Sequence, residues 1–200
     1  MTEPIFKSIV QAVHVSFLME IVIPSTKGQT EICIQHLMES SGHVFQGIPE
    51  PVVNTKGMRQ EDWFAQCALI RQKVEERLPP PERDAIWARY GQYDNRINVF
   101  TKSDGIEGMA IYVESVSKLK GDALLELTAN FYGLCRYNKK GRKIAPPSLR
   151  DIADRYNKSR VTLAQVKQVI GRYAAGLEME AMKKLSVILN NEITEQAEIS

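Results

Sequence analysis

No apolar run in the 200-residue chain reaches the ~18 residues that a membrane-spanning helix needs. The best candidate, residues 15–24, is interrupted by Glu20 and ends at Pro24. The first residues lack a basic segment and a small-residue cleavage site, so the expected location is the cytoplasm, with no membrane partner. Cysteine is scarce. Cys33, Cys67 and Cys135 are far apart and odd in number, which suits reduced thiols better than a disulfide framework. Internal repeats and low-complexity tracts are absent, and little alternates with period two beyond a few residues around Ile21 and Val52.

A metal site has little to stand on. Cys33 and His36 could share one helix face, with His43 or Cys67 completing a ligand set. Zinc motifs usually pair their ligands locally, and these extra ligands are distant. The cysteines read better as small buried hydrophobes, and no metal or other cofactor is expected.

What the chain does have is helical spacing. Apolar residues at 44% and charged residues at 25% are ordinary for a globular protein. Ile5, Ile9, Val13 and Phe17, with Phe6, Val10 and Leu18, predict an amphipathic helix. A second is expected from Thr30 through Cys33, Ile34, Leu37 and Met38 to about Gly42, then a loop over 43–59. Residues 62–78 resume the period through Phe64, Cys67, Ile70 and Val74. The segment "LPPPERD" (78–84) stops that helix and starts another, whose Trp87 and Tyr90 share a face.

Residues 105–120 predict a helix with Met109, Tyr112, Val113 and Val116 inward. Residues 122–137 predict one more, through Leu124, Leu125, Leu127, Phe131 and Leu134. "NKKGRKIAPP" (138–147) reads as a basic loop, and a long helix through Leu177, Met182 and Leu185 follows later. The expected fold is mainly α: an N-terminal helical region over 1–80, a helical domain over 81–190 and a frayed acidic tail over 191–200.

The segment "SLRDIADRYNKSRVTLAQVKQVI" (148–170) is the most informative. Ser148 and Asp151 form a capping-box pattern, and Leu149, Ile152, Ala153 and Tyr156 make the apolar side of a helix. Asn157 tolerates the left-handed conformation of a tight turn, and Ser159 can cap a second helix buried through Leu163, Val166 and Ile170. A small residue at Ala153 lets the helices cross closely, as a helix-turn-helix over 148–174 requires. Its second helix would expose Ser159, Arg160, Thr162, Gln165, Gln168 and Arg172. Arginine pairs with guanine and glutamine with adenine in the major groove.

Charge points the same way. Residues 136–172 hold eleven Lys or Arg against Asp151 and Asp154, a net +9, while the rest of the chain is −7. Such a basic segment in a near-neutral protein is the footprint of phosphate binding, with double-stranded DNA as the expected partner. Lys139, Lys140, Arg142 and Lys143 are the expected backbone contacts, and Lys158 is a further expected DNA-binding residue. A solvated hairpin whose charges only maintain solubility is the plainer alternative.

The same segment resembles the promoter −35-reading helix-turn-helix of bacterial sigma factors, in its "SR", the apolar Leu163, and the Gln165–Val166 pair. Preceded by "ALLELTANFYG" (123–133) and followed by a long amphipathic helix, it is similar over about residues 85–190 to the Q-type antitermination factors of phages and their bacterial relatives, one of which switches on lysis genes. The resemblance implies a factor that binds DNA beside a promoter and loads onto the paused RNA polymerase elongation complex, with sigma factor as a further partner. It would narrow the RNA exit channel around nascent RNA so that terminator hairpins cannot form. Larger members carry paired-cysteine zinc motifs; this sequence has none, which implies a zinc-free member. The first 80 residues carry no part of the resemblance.

Two other classes compete. A conventional helix-turn-helix activator or repressor would need the same reader but no hold on polymerase. An enzyme is not expected, since three scattered histidines place no nucleophile, base and orienter together. The acids Glu61, Asp62, Glu75, Glu76, Glu82 and Asp84 read as solvated helix faces.

Overall fold

The computed structural model describes residues 6, 8–19, 59–91, 101–134, 136–137 and 143–198. The expected helix over 30–42, most of the loop after it, Cys33, His36, His43 and Cys135 lie outside the described residues. Contacts divide the chain into two compact units, Met1–Arg77 and Leu78–Ser200. The described part is mainly helical, with seven helices.

In the first unit, α1 (Ile9–Leu18) packs on α2 (Gln60–Arg77). Ser8 caps α1 by accepting from the Gln11 N–H at 3.1 Å. Every residue from Gln11 to Leu18 is buried, so the helix is covered on all sides where its spacing predicts a single apolar stripe. Burial of Ser16 is balanced locally, its hydroxyl donating to the Ala12 carbonyl at 2.6 Å. On α2, Trp63 fills the core with Cys67 and Val15, while Phe64 is only half-buried. Phe64 was the expected core residue; Trp63, one position earlier, is in phase with Cys67, Ile70 and Val74. Burial pushes the Cys67 thiol up to about 11, which keeps it protonated and inert.

The second unit opens with α3 (Pro80–Tyr90), whose prolines occupy the first turn, where no N–H partner is needed. It lies against α4 (Lys102–Glu114) at close range. A Cβ on Gly105 would meet the backbone nitrogen of Ala88 at 2.5 Å, and one on Gly108 would overlap the Asp84 carboxylate. These two glycines let the helices touch. Asp84, which packs where Gly108 has no side chain, is 8% exposed, and Glu82 is 9% exposed, where both were expected as solvated acids. Asp84 accepts from the Arg83 guanidinium at 3.1 Å, and Glu82 accepts from Lys184.

Helix α4 begins and ends earlier than its spacing predicts. Thr101 and Asp104 form a complete capping box, and the helix ends before Ser115. Met109 and Val113 are buried as expected, but Tyr112 is 36% exposed and Val116 50% exposed. Ile106 and Ala110 take the inward positions instead. Helix α5 (Gly121–Phe131) is likewise shorter than predicted. Gly133, at φ +64, turns the chain. Its N–H donates to Asn130 O at 3.2 Å and the Leu134 N–H to Ala129 O at 2.9 Å, the paired bonds of a glycine C-cap.

The basic loop is bracketed by a short antiparallel ladder, β1 (Arg136–Tyr137) with β2 (Lys143–Ile144), Tyr137 facing Lys143. A two-residue ladder is too short to give an alternation that sequence can signal. Helices α6 (Leu149–Tyr156) and α7 (Arg160–Glu198) complete the unit. The tail expected to fray continues α7 to Glu198, because no glycine or proline follows Gly176 to stop it. At 39 residues α7 is about 58 Å long.

Candidate nucleic-acid interface

Helices α5, α6 and α7 pack against one another, and their contact is a continuous apolar core. From α6 come Ile152 and Ala153, with Leu149 and Tyr156 partly covered. From α7 come Leu163, Val166, Ile170 and Ala174. Full burial of side chains such as Ile152, Leu163 and Ile170 contributes about 1.5–3 kcal/mol each.

Local rules set the two helices and the connection between them. Ser148 Oγ accepts from the Asp151 N–H at 3.2 Å, while the Asp151 carboxylate accepts from Ser148 N at 2.9 Å and Oγ at 2.7 Å. These bonds hold the Asp151 carboxyl below its ordinary value, since they favour the charged form. Asn157 sits at φ 49, ψ 51, the left-handed conformation asparagine tolerates. The N–H groups of Asn157 and Lys158 both donate to Ala153 O, so the helix closes on the same residue that is buried between helices. Ser159 then starts α7: its carbonyl accepts from Leu163 N at 3.0 Å and its hydroxyl from Val161 N at 3.2 Å.

Two side chains pin the arrangement from α5. Asn130 donates to Pro147 O at 2.7 Å and accepts from Lys167 Nζ at 2.6 Å, joining α5 to the start of α6 and to α7. Glu126 accepts from Arg155 near the end of α6.

These contacts sort the basic residues. Arg155 is bound to Glu126, Arg150 lies 3.8 Å from Asp154, and Lys167 is committed to Asn130. The side chains of Lys158, Arg160 and Arg172 are exposed and make no ion pair or hydrogen bond to a described residue. Ser159, Gln165 and Gln168 are exposed too, and Thr162 is half-exposed. At 100° per residue, Gln165, Gln168 and Arg172 align along the side of α7 opposite Leu163, Val166 and Ile170. Arg160 and Thr162 flank that line. Lys139, Lys140 and Arg142 lie outside the described residues, and of Lys143 only the backbone position in β2 is described.

One exposed residue on that line was not among the expected contacts. Val161 is 67% exposed and lies one turn before Gln165. The phase of Leu163, Val166 and Ile170 places it on the exposed side, but a valine carries no hydrogen-bonding group to mark it as a base contact.

A cavity of about 400 Å³ lies between α4 and α5 and is lined by Glu107, Glu114 and Asp122 around Ile111 and Leu125. Its acidic rim would repel phosphate. Among the described residues no three His, Cys, Asp or Glu side chains converge as metal ligands, and no helix is long and apolar enough to cross a membrane. Comparison with protein-family models finds no match, and comparison with curated proteins finds no significant one.

Proposed function

We propose that this protein is a DNA-binding transcription antitermination factor. It reads a duplex element with α6 and α7 as a helix-turn-helix, loads onto RNA polymerase paused beside that element, and narrows the RNA exit channel so that terminators are read through. The observation that carries the reading is the exposed side of α7, where two glutamines and two uncommitted arginines stand on a helix whose opposite side is locked into a three-helix core. Amides and guanidinium groups make paired hydrogen bonds to adenine and guanine edges. Uncommitted cations at Lys158, Arg160 and Arg172 can neutralise phosphates and release counterions. Cations already satisfied within the fold, such as Arg155, would contribute less.

Loading and antitermination rest on the likeness of residues 148–170, and of the helices around them, to the Q-type factors. In this reading the protein acts by binding, in the cytoplasm, on DNA, the elongation complex with its sigma factor, and the emerging RNA. The test is transcription with purified polymerase on a template carrying the protein's own element upstream of a terminator. Readthrough that needs both protein and element is expected. Specific DNA binding with no readthrough would leave a conventional regulator of initiation. No sequence-specific binding would remove the reading altogether.

A further inference from the structure

Val161 stands in the first turn of α7, in line with Gln165, Gln168 and Arg172 at i+4, i+7 and i+11. Recognition helices place their base contacts at this N-terminal end. Its neighbours offer no apolar cover: Arg160, Ala164 and Gln165 are all exposed, and the side chain is 67% open. The other large exposed hydrophobics lie elsewhere: Ile111, Tyr112 and Val116 on or just after α4, and Met179 and Val187 far along α7.

We infer that Val161 reads the 5-methyl group of a thymine, so that the DNA element carries an A·T pair facing the first turn of α7. The inference rests on the proposed DNA-reading role of that helix. A valine has no hydrogen-bonding group, and the thymine methyl is the one apolar feature a base pair presents in the major groove. Over a G·C pair the same side chain would cover polar edges without satisfying them. Branching at Cβ fixes the two methyls in one helical rotamer, so little freedom is lost on contact. Ala164 beside it is small enough for the helix to approach closely. Gln165, one turn on, favours adenine, which is consistent with a run of A·T pairs under this part of the helix.

The experiment uses the full chain. A duplex element is first selected from random DNA with the wild-type protein, and each thymine in it is then replaced singly by deoxyuridine, which lacks only the methyl. At one position the replacement is expected to weaken wild-type binding about fourfold, the factor for burying one methylene-sized group. Val161→Ala should bind the thymine element about fourfold more weakly and be indifferent to uracil at that position. Val161→Thr, which keeps one methyl, should retain the discrimination. Identical uracil profiles for wild type and Val161→Ala would overturn the inference while leaving DNA reading intact. Selection of no preferred sequence by the wild type would overturn both. Because Val161 lies outside the core, helicity of the variants should match wild type and serves as the folding control.

Discussion

Lys167 on α7 donates from Nζ to Asn130 Oδ1 on α5 at 2.6 Å. The amide nitrogen of the same asparagine donates to the Pro147 carbonyl, 2.7 Å away, just before α6 begins. One side chain therefore fixes both the start of the first helix of the candidate reader and the second helix itself. The arrangement uses a lysine inside the basic segment for structure, which its charge alone would assign to phosphate.

Asn130→Ala removes both bonds and leaves the Pro147 carbonyl and Lys167 without their partner. The expected loss is about 2 kcal/mol in urea denaturation, since one of the bonds involves a charged donor. Asn130→Asp keeps the acceptor for Lys167 and loses only the donor to Pro147, so it should fall between the two. Equal stability of all three proteins would show that the clamp contributes nothing.

Asn157 gives a sharper local test. Its left-handed conformation strains any residue with a Cβ that lacks asparagine's compensation. Asn157→Ala should cost about 1 kcal/mol, whereas Asn157→Gly should be close to wild type. Thermal unfolding of the three proteins decides it. A glycine variant as weak as the alanine one would locate the role of Asn157 in its side chain instead.

The overlap of Ala153 with the helix crossing predicts that Ala153→Leu overpacks the junction of α6 and α7, at about 1–3 kcal/mol. Specific DNA binding should fall further than total helicity by circular dichroism. Wild-type stability in this variant would mean that the helices do not approach there.

Two aspartates should respond to pH in opposite senses. Burial raises the Asp84 carboxyl above its ordinary value, against the pull of Arg83 and with a push from Asp104. The folded state then binds more protons than the unfolded state in the window between the ordinary and the raised value. Stability contributed by Asp84 must fall as pH rises through that window. Asp151 is lowered, so its contribution is present above the ordinary value and is lost as pH falls toward the lowered one. Urea midpoints from mildly acidic pH down to below the ordinary aspartate value should therefore show the wild type losing ground to Asp84→Asn on going up above that value and to Asp151→Asn on going down below it. Parallel curves for either variant would contradict the corresponding assignment.

How much could be read from sequence follows the range of the interactions. The Ser148–Asp151 box, the Asn157 turn and the buried set Leu163, Val166 and Ile170 depend on residues within a few positions, and each is present as expected. The inward phase of α4 was half right, because Met109 and Val113 fit the predicted limits as well as the observed ones, whereas Val116 lies beyond the true helix end. Burial of Glu82 and Asp84 was hidden. It depends on Lys184, a hundred residues away, and on the side chain that Gly108 lacks. At the candidate site, spacing identified the exposed polar residues of α7 but not which cations were already committed. Arg155 and Lys167 look like Lys158 and Arg160 until Glu126 and Asn130 are placed beside them.

That division of the cations predicts two separable effects in the proposed function. Lys158 lies in the turn, and its side chain has no partner among the described residues and no reach that depends on a base edge. Lys158→Ala should weaken binding to every duplex by a similar factor and reduce the salt slope by about one. Arg160 opens α7, the helix proposed to read DNA, and its guanidinium could bind guanine through two hydrogen bonds. Arg160→Ala should cost about 1–3 kcal/mol on the selected element and little on random DNA. In a loading-type factor the same variant should fail to suppress termination at low protein concentration and recover partly at high concentration. Recovery is expected because DNA binding would serve to concentrate the factor beside polymerase, a role that added protein can replace. Readthrough unaffected by Arg160→Ala at every concentration would sever this helix from loading, even if the DNA contact itself were real.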